Sequence, residues 1–115
     1  MIRAGIIGGS GYTGGELIRL LINHPKVAID FVYSRTKAGK KISGAHPDLL
    51  GKLELAFTDS INTEVDVLFL CLGHGNSRIF LSKHSFSSKT RIIDLSNDFR
   101  LIQDASFGGK DFVYG

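Results

Sequence analysis

The segment Gly8-Gly9-Ser10-Gly11-Tyr12-Thr13-Gly14 is where residue types and spacing in this chain point most directly to chemistry. It reads as Gly-x-Gly-x-x-Gly from Gly9 and as Gly-x-x-Gly-x-x-Gly from Gly8. Glycines so placed allow a turn with positive φ, a close backbone approach to a pyrophosphate, and tight packing of a helix on the preceding strand. Amide groups at the start of that helix then bind the anion. A glycine-rich strand-to-helix turn without a ligand would have the same composition. The apolar run before the loop and the helical periodicity after it favour a dinucleotide site, with Gly8, Ser10, Gly11, Tyr12, Thr13 and Gly14 as its binding residues. No Gly-Lys-Ser/Thr follows, which excludes a Walker-type phosphate loop.

The choice of dinucleotide turns on the end of the second strand, where an acid suits NAD and Arg with hydroxyl groups suits the extra phosphate of NADP. Here the chain reads Tyr33-Ser34-Arg35 and then Lys37, while Asp30 comes too early and reads better as a paired or strand-edge carboxylate. A guanidinium at Arg35 can contact a phosphate with two prongs while Ser34 donates a hydroxyl. The alternative is a merely solvated basic loop, since Arg35, Lys37, Lys40 and Lys41 cluster with no acid among them. NADP is the expected cofactor. Cys71, the single cysteine, sits in Phe69-Leu70-Cys71-Leu72 and reads as an inert core thiol, because apolar burial raises a thiol pKa. His24, His46 and His84 show no metal spacing and read as surface or turn residues. No metal is expected.

These residues need an alternating scaffold to position them. Ile2 to Gly8 reads as a buried strand, and from Thr13 a helix carries Leu17, Ile18, Leu20, Leu21 and Ile22 to the stop at Asn23-His24-Pro25. Val27 to Tyr33 is a second strand. Ser34 to Lys52 reads as a long loop with at most one helical turn, and Leu53 to Phe57 as a short strand. Val67 to Leu72, the most apolar run, predicts a central strand buried on both faces. Asn76 or Ser77 caps a helix to about His84, and Arg91 to Leu95 is a further strand. Strands alternating with crossover helices imply an α/β, Rossmann-type doubly wound parallel sheet, with ligands beyond the carboxyl ends of the strands.

Length and composition agree. With 115 residues, 43% of them hydrophobic and 22% charged, the chain suits one domain able to bury roughly two-thirds of its unfolded surface. One cysteine forms no internal disulfide and suits a reducing compartment. No apolar run is long enough to cross a bilayer, and the first residues lack a signal peptide's apolar stretch, so a cytoplasmic protein is expected. The formal net charge of +3 is local to the basic cluster. It marks an anion site or a solvated loop, and nucleic-acid binding is not expected.

Taken together, Gly-Gly-Ser-Gly-Tyr-Thr-Gly-Gly-Glu-Leu at 8–17, Ser34-Arg35 with Ala38-Gly39-Lys40, His46-Pro47 with Leu50-Gly51, Leu72-Gly73-His74-Gly75 and Asp94-Leu95-Ser96-Asn97-Asp98-Phe99-Arg100 resemble the N-acetyl-gamma-glutamyl-phosphate reductases. These are arginine-biosynthesis relatives of aspartate-semialdehyde dehydrogenase. The resemblance runs from Met1 to Gly115 and covers the family's N-terminal cofactor domain. It implies an enzyme that uses NADPH to turn an acyl phosphate into an aldehyde through a cysteine thioester. The family's nucleophile lies in an Asn-Pro-Gly-Cys-Tyr segment absent from this chain, and its general-base histidine lies in a second domain. The expectation is therefore a cofactor domain, 1–115, of a longer homo-oligomeric enzyme, itself without catalysis.

Carried over by position, Leu72, Gly73 and His74 match the loop on the nicotinamide side, with Gly73 in place of the family's proline. His74 reads equally as an exposed loop histidine. Arg100 matches the arginine that, in the aspartate-semialdehyde dehydrogenase relatives, holds the substrate phosphate, with Ser96 and Asp98 capping the turn or orienting it. A plain structural turn over Ser96 to Arg100 remains the alternative. Two rival functions also stand: an aspartate-semialdehyde dehydrogenase cofactor domain, and a nucleotide-binding module without chemistry.

Overall fold

In a computed structural model of the chain, residues 1–73 and 75–95 are described, together with the backbone at 106–107 and 110–111. Strand β1 (Ile2–Ile7) leads through the glycine turn into helix α1 (Tyr12–Leu21), followed by β2 (Val27–Tyr33). Helix α2 (Ile42–Ala45) and a 3-10 turn (Pro47–Leu49) precede β3 (Val67–Leu70), α3 (Asn76–Lys83) and β4 (Arg91–Asp94). Two short strands, β5 (Ser106–Phe107) and β6 (Lys110–Asp111), pair antiparallel and were not foreseen from the sequence.

The main sheet has the order β2-β1-β3-β4, and every pair in it is parallel. The chain moves one way from β1 to β2 and the other way from β3 to β4, so right-handed crossovers put α1 and α3 on opposite faces. Two apolar clusters bear this out. Ile18 and Leu21 of α1 pack with Ala4, Ile6 and Val32, together with Ile42, Leu49 and Phe57 from the segment after β2. Phe80 of α3 packs with Ile7, Phe31, Val65, Leu68 and Leu70 on the other face. Fully burying a side chain such as Ile6 or Ile18 contributes about 1.5–3 kcal/mol. The sheet is thus doubly wound, and its strand order reverses between β1 and β3.

One irregularity decides which β2 residues face which helix. Ala4 pairs with Ile29 and Gly5 with Phe31, so Asp30 is an extra residue in the β2 ladder. That bulge sends Phe31 to the α3 face, although Ile29, two residues earlier, packs on the α1 face. Gly5 makes room for it: a Cβ there would lie 2.5 Å from the Phe31 ring.

Four sequence expectations need correction. The stretch Ser34 to Lys52 holds two short helical turns, α2 and the 3-10 turn, not at most one, because Pro47 ends the first and opens the second. Leu53 to Phe57 is not a strand: within it Ala56 alone forms an isolated bridge, with Lys41, and the next residue, Thr58, bridges to Tyr33. Phe57 exchanges backbone bonds with Gly39 and Lys40, while Thr58 turns to Val32 and Ser34 of the β2 end. Two partners divide the run, and neither builds a ladder. Strand β3 is central but not buried on both faces, since Leu68 and Leu70 are buried while Val67 and Phe69 are half-buried. Helix α3 covers the first pair, whereas α1 sits over β1 and β2 and leaves Ile93 of β4 44% exposed. Finally, neither Asn76 nor Ser77 caps α3. Gly75 does, at φ 87, and the buried Ser77 hydroxyl donates instead to Asp94 Oδ1 at 2.7 Å.

Candidate functional site

At the carboxyl end of β1 the glycines divide the work between them. Gly8 has φ 84, and the amides of Gly8 and Gly9 both donate to the Tyr33 carbonyl that ends β2, at 3.0 and 3.3 Å. A Cβ on Gly8 would come within 2.8 Å of the Cys71 carbonyl oxygen. At Gly14 a Cβ would lie 2.6 Å from Gly9 Cα and 2.7 Å from Gly8 O, so this glycine lets α1 press onto the loop. Gly11 is the opposite case, because a Cβ there would meet nothing within 4 Å.

Gly11 also stands at the N-cap of α1, in extended conformation and without a side-chain cap, and no acid occupies the first turn. Among the described residues no backbone carbonyl accepts from the amides of Ser10, Gly11, Tyr12 or Thr13. Open space in front of uncommitted N–H groups, at the positive end of a helix, is what a pyrophosphate requires. Tyr12 and Thr13 are exposed, and Ser10 is half-buried. These are the residues that would hold the diphosphate of a dinucleotide.

The end of β2 comes to the same place. Ser34 is buried, its amide donates to Thr58 O at 3.0 Å, and its hydroxyl reaches Ser10 Oγ at 3.5 Å, a weak bond at best. Arg35 and Lys37 are exposed in the following turn, and no ion pair among the described residues uses either. That turn is tied down by its backbone, with Gly39 N donating to Phe57 O at 2.8 Å and Phe57 N to Lys40 O at 2.9 Å. Asp30 accepts from Asn62 Nδ2 at 3.0 Å, as expected of a paired carboxylate.

Past β3, the Cys71 amide donates to Ile7 O at 2.8 Å, and Leu72 Cδ2 would be 3.0 Å from a Cβ on Gly8. Leu72 therefore borders the glycine loop, while Gly73 is exposed and accepts from Asn76 N at 3.0 Å. Cys71 is half-buried, less enclosed than the sequence suggested. Its thiol is nonetheless pushed up to about 11, by desolvation first and the nearby Asp94 carboxylate second. His74, Ser96, Asp98 and Arg100 lie outside the described residues.

Of the two readings of His46, surface or turn, the second holds, since it joins α2 to the 3-10 turn. It is 6% exposed, not a surface residue, and its Nε2 lies 2.8 Å from Gly9 O, inside the glycine loop. The only signal was the His-Pro pair in the middle of an apparent loop, and nothing local says that this loop folds back on α1. His84 is also more than a surface group, stacking on Phe80 at 4.4 Å between ring centres. His24 is exposed, and its Nδ1 accepts from Lys26 N.

The family model "Semialdehyde dehydrogenase, NAD binding domain" matches residues 3–115. Proteins named N-acetyl-gamma-glutamyl-phosphate reductase from Flavobacterium johnsoniae and Christiangramia forsetii are 66% and 56% identical over 115 residues, all of this chain. One from Phocaeicola vulgatus is 51% identical over 116 aligned positions. The chain spans 35% of the length of each of these relatives. Among solved structures, aspartate semialdehyde dehydrogenase with NADP from Candida albicans superposes with a TM-score of 0.69 at 23% identity, over 87% of this chain and 31% of that one. That likeness bears out the fold. With the glycine loop, the reversal of strand order and a family match over nearly its whole length, the chain belongs to the NAD-binding domains of the semialdehyde dehydrogenase family.

Proposed function

We propose that this chain is the NADP(H)-binding domain of a longer N-acetyl-gamma-glutamyl-phosphate reductase, which reduces an acyl phosphate to the semialdehyde. The observation that carries the cofactor half is the open cradle at Gly11, with its uncommitted amides beside the basic turn at Arg35. The named relatives that match across all of this chain support the substrate half.

In this reading the amides from Ser10 to Thr13 bind the diphosphate, with Gly8 and Gly14 shaping the loop. Ser34, Arg35 and Lys37 recognise the 2′-phosphate. Leu72, Gly73 and His74 flank the nicotinamide, and Ser96 and Arg100 take the substrate phosphate. The bound nicotinamide supplies the hydride. Arg100 neutralises phosphate charge as the acyl–phosphate bond breaks, which favours the transition state. Cys71, a neutral thiol near neutral pH, is not the nucleophile. The nucleophile and general base come from the remainder of the enzyme, which is a cytoplasmic homo-oligomer with no nucleic-acid or membrane partner. Among the described residues no helix is long and apolar enough to cross a membrane.

The test is turnover by the full-length protein in the reverse direction, where aldehyde, phosphate and NADP⁺ give acyl phosphate, NADPH and a proton. Reduction of NADP⁺ with N-acetylglutamate semialdehyde, and not with aspartate semialdehyde, is the expected result. Preference for aspartate semialdehyde would transfer the assignment to the sister activity, and no turnover with either would overturn the enzyme reading.

A further inference from the structure

We infer that His46 is a positioning residue that sets the shape of the dinucleotide loop before the cofactor arrives. The inference rests on the dinucleotide reading above and adds a residue that touches neither phosphate nor nicotinamide. It starts from the segment after β2, which is braced by two backbone bonds of its own and docked on α1 by one ion pair. His46 N donates to Ile42 O at 2.9 Å, closing α2, and Leu49 N donates to His46 O at 2.9 Å, opening the 3-10 turn. Arg19 of α1 grips the Asp48 carboxylate with two prongs, Nε to Oδ2 at 2.6 Å and Nη2 to Oδ1 at 2.9 Å. The imidazole is thereby held over the start of α1.

Gly15 completes the seat, since a Cβ there would lie 2.7 Å from His46 Nδ1 and closer still to Cε1. From this seat His46 Nε2 reaches Gly9 O at 2.8 Å. A carbonyl only accepts, so Nε2 carries the proton.

The consequence follows from peptide geometry. No peptide bond in the described chain is cis, and across a trans peptide the C=O and N–H point in opposite directions. With the Gly9 carbonyl drawn to His46, the Ser10 N–H faces away from the ring. Gly9 N is also fixed, on Tyr33 O. Both peptide units flanking Gly9 are therefore pinned, and the first of the four uncommitted amides has its direction set by His46. Glycine is otherwise free to turn such a unit over, which would present a carbonyl to the anion. A pre-set amide spares the cofactor that ordering cost.

The experiment compares His46→Gln and His46→Asn in the full-length protein, by NADPH titration and by chemical denaturation. Glutamine places an amide N–H at the reach of Nε2. Asparagine places one only at the reach of Nδ1, short of Gly9. The expected result is an NADPH Kd within about threefold of the unaltered protein for Gln and weakened about tenfold for Asn, with similar stabilities. A purely structural histidine would move stability without separating the two variants in affinity. Equal affinities for Gln, Asn and the unaltered protein, or equal losses in both variants, would overturn the inference. Should neither variant fold, ¹⁵N NMR of the histidine-labelled unaltered protein decides it: a proton on Nε2 is expected, and a proton on Nδ1 alone overturns it. An unaltered protein that binds no dinucleotide would overturn the underlying functional reading, and this inference with it.

Discussion

Gly11, the N-cap of α1, and Gly14, in its first turn, lie three positions apart, yet the structure assigns them different consequences when a methyl group is added. In Gly14→Ala the new Cβ would fall 2.6 Å from Gly9 Cα and 2.7 Å from Gly8 O, both backbone atoms that cannot swing aside. Overpacking of this kind costs about 3 kcal/mol at its upper end, and the better helix propensity of alanine returns about 1, leaving a net loss of about 2 kcal/mol. In Gly11→Ala the methyl meets nothing within 4 Å, and the extended backbone, φ −86 and ψ −178, suits alanine. Alanine is a poorer N-cap by up to about 1 kcal/mol, and the restricted unfolded chain offsets about 0.4–1, so the net change is about 0.5 kcal/mol or less. In the proposed binding mode the same methyl stands where the pyrophosphate approaches, and NADPH affinity should fall at least about tenfold. Denaturant titration without cofactor and calorimetric titration with NADPH, both on the full-length protein, separate the two effects. Unchanged NADPH affinity in Gly11→Ala, or unchanged stability in Gly14→Ala, would refute the division of roles.

Arg35→Ala should weaken NADPH roughly tenfold or more while barely changing NADH, because one charge-assisted contact to the extra phosphate is lost; parallel titration of both cofactors checks it. Cys71 should alkylate slowly in the folded protein at neutral pH, with a rate that climbs as pH approaches about 11. After denaturation the thiol returns to its ordinary value, so the rate should reach half its maximum near pH 9, and mass spectrometry reads both profiles. Arg100→Ala should leave NADPH affinity within about twofold but lower kcat/KM of the intact enzyme by orders of magnitude. A tenfold loss of NADPH binding in that variant would move Arg100 to the cofactor site.

What the sequence revealed is what depends on local chemistry. Glycine spacing announced the turn between β1 and α1, the proline after His24 ended the helix, and the run Val27–Tyr33 matched β2 to the residue. The basic turn at Arg35 was visible because no acid stands among Arg35, Lys37, Lys40 and Lys41. Long-range pairing was not legible. The Asp30 bulge depends on how β2 registers with β1, and the failure of Leu53 to Phe57 to form a strand depends on two competing upstream partners, Lys41 and Tyr33. His46 belongs to the same class, because its burial comes from the return of the 42–49 segment onto α1, which the Asp48–Arg19 pair fixes across 29 positions. The apolar run from Val67 announced a central strand, but which of its faces is filled depends on where α1 sits.

The most direct test of the central claim is a crystal structure of the full-length protein with NADP⁺ bound. The account predicts diphosphate oxygens within hydrogen-bond distance of the amides from Ser10 to Thr13, over the open face of Gly11, with the 2′-phosphate against Arg35. A dinucleotide bound with its diphosphate elsewhere, leaving those amides to solvent, would contradict it.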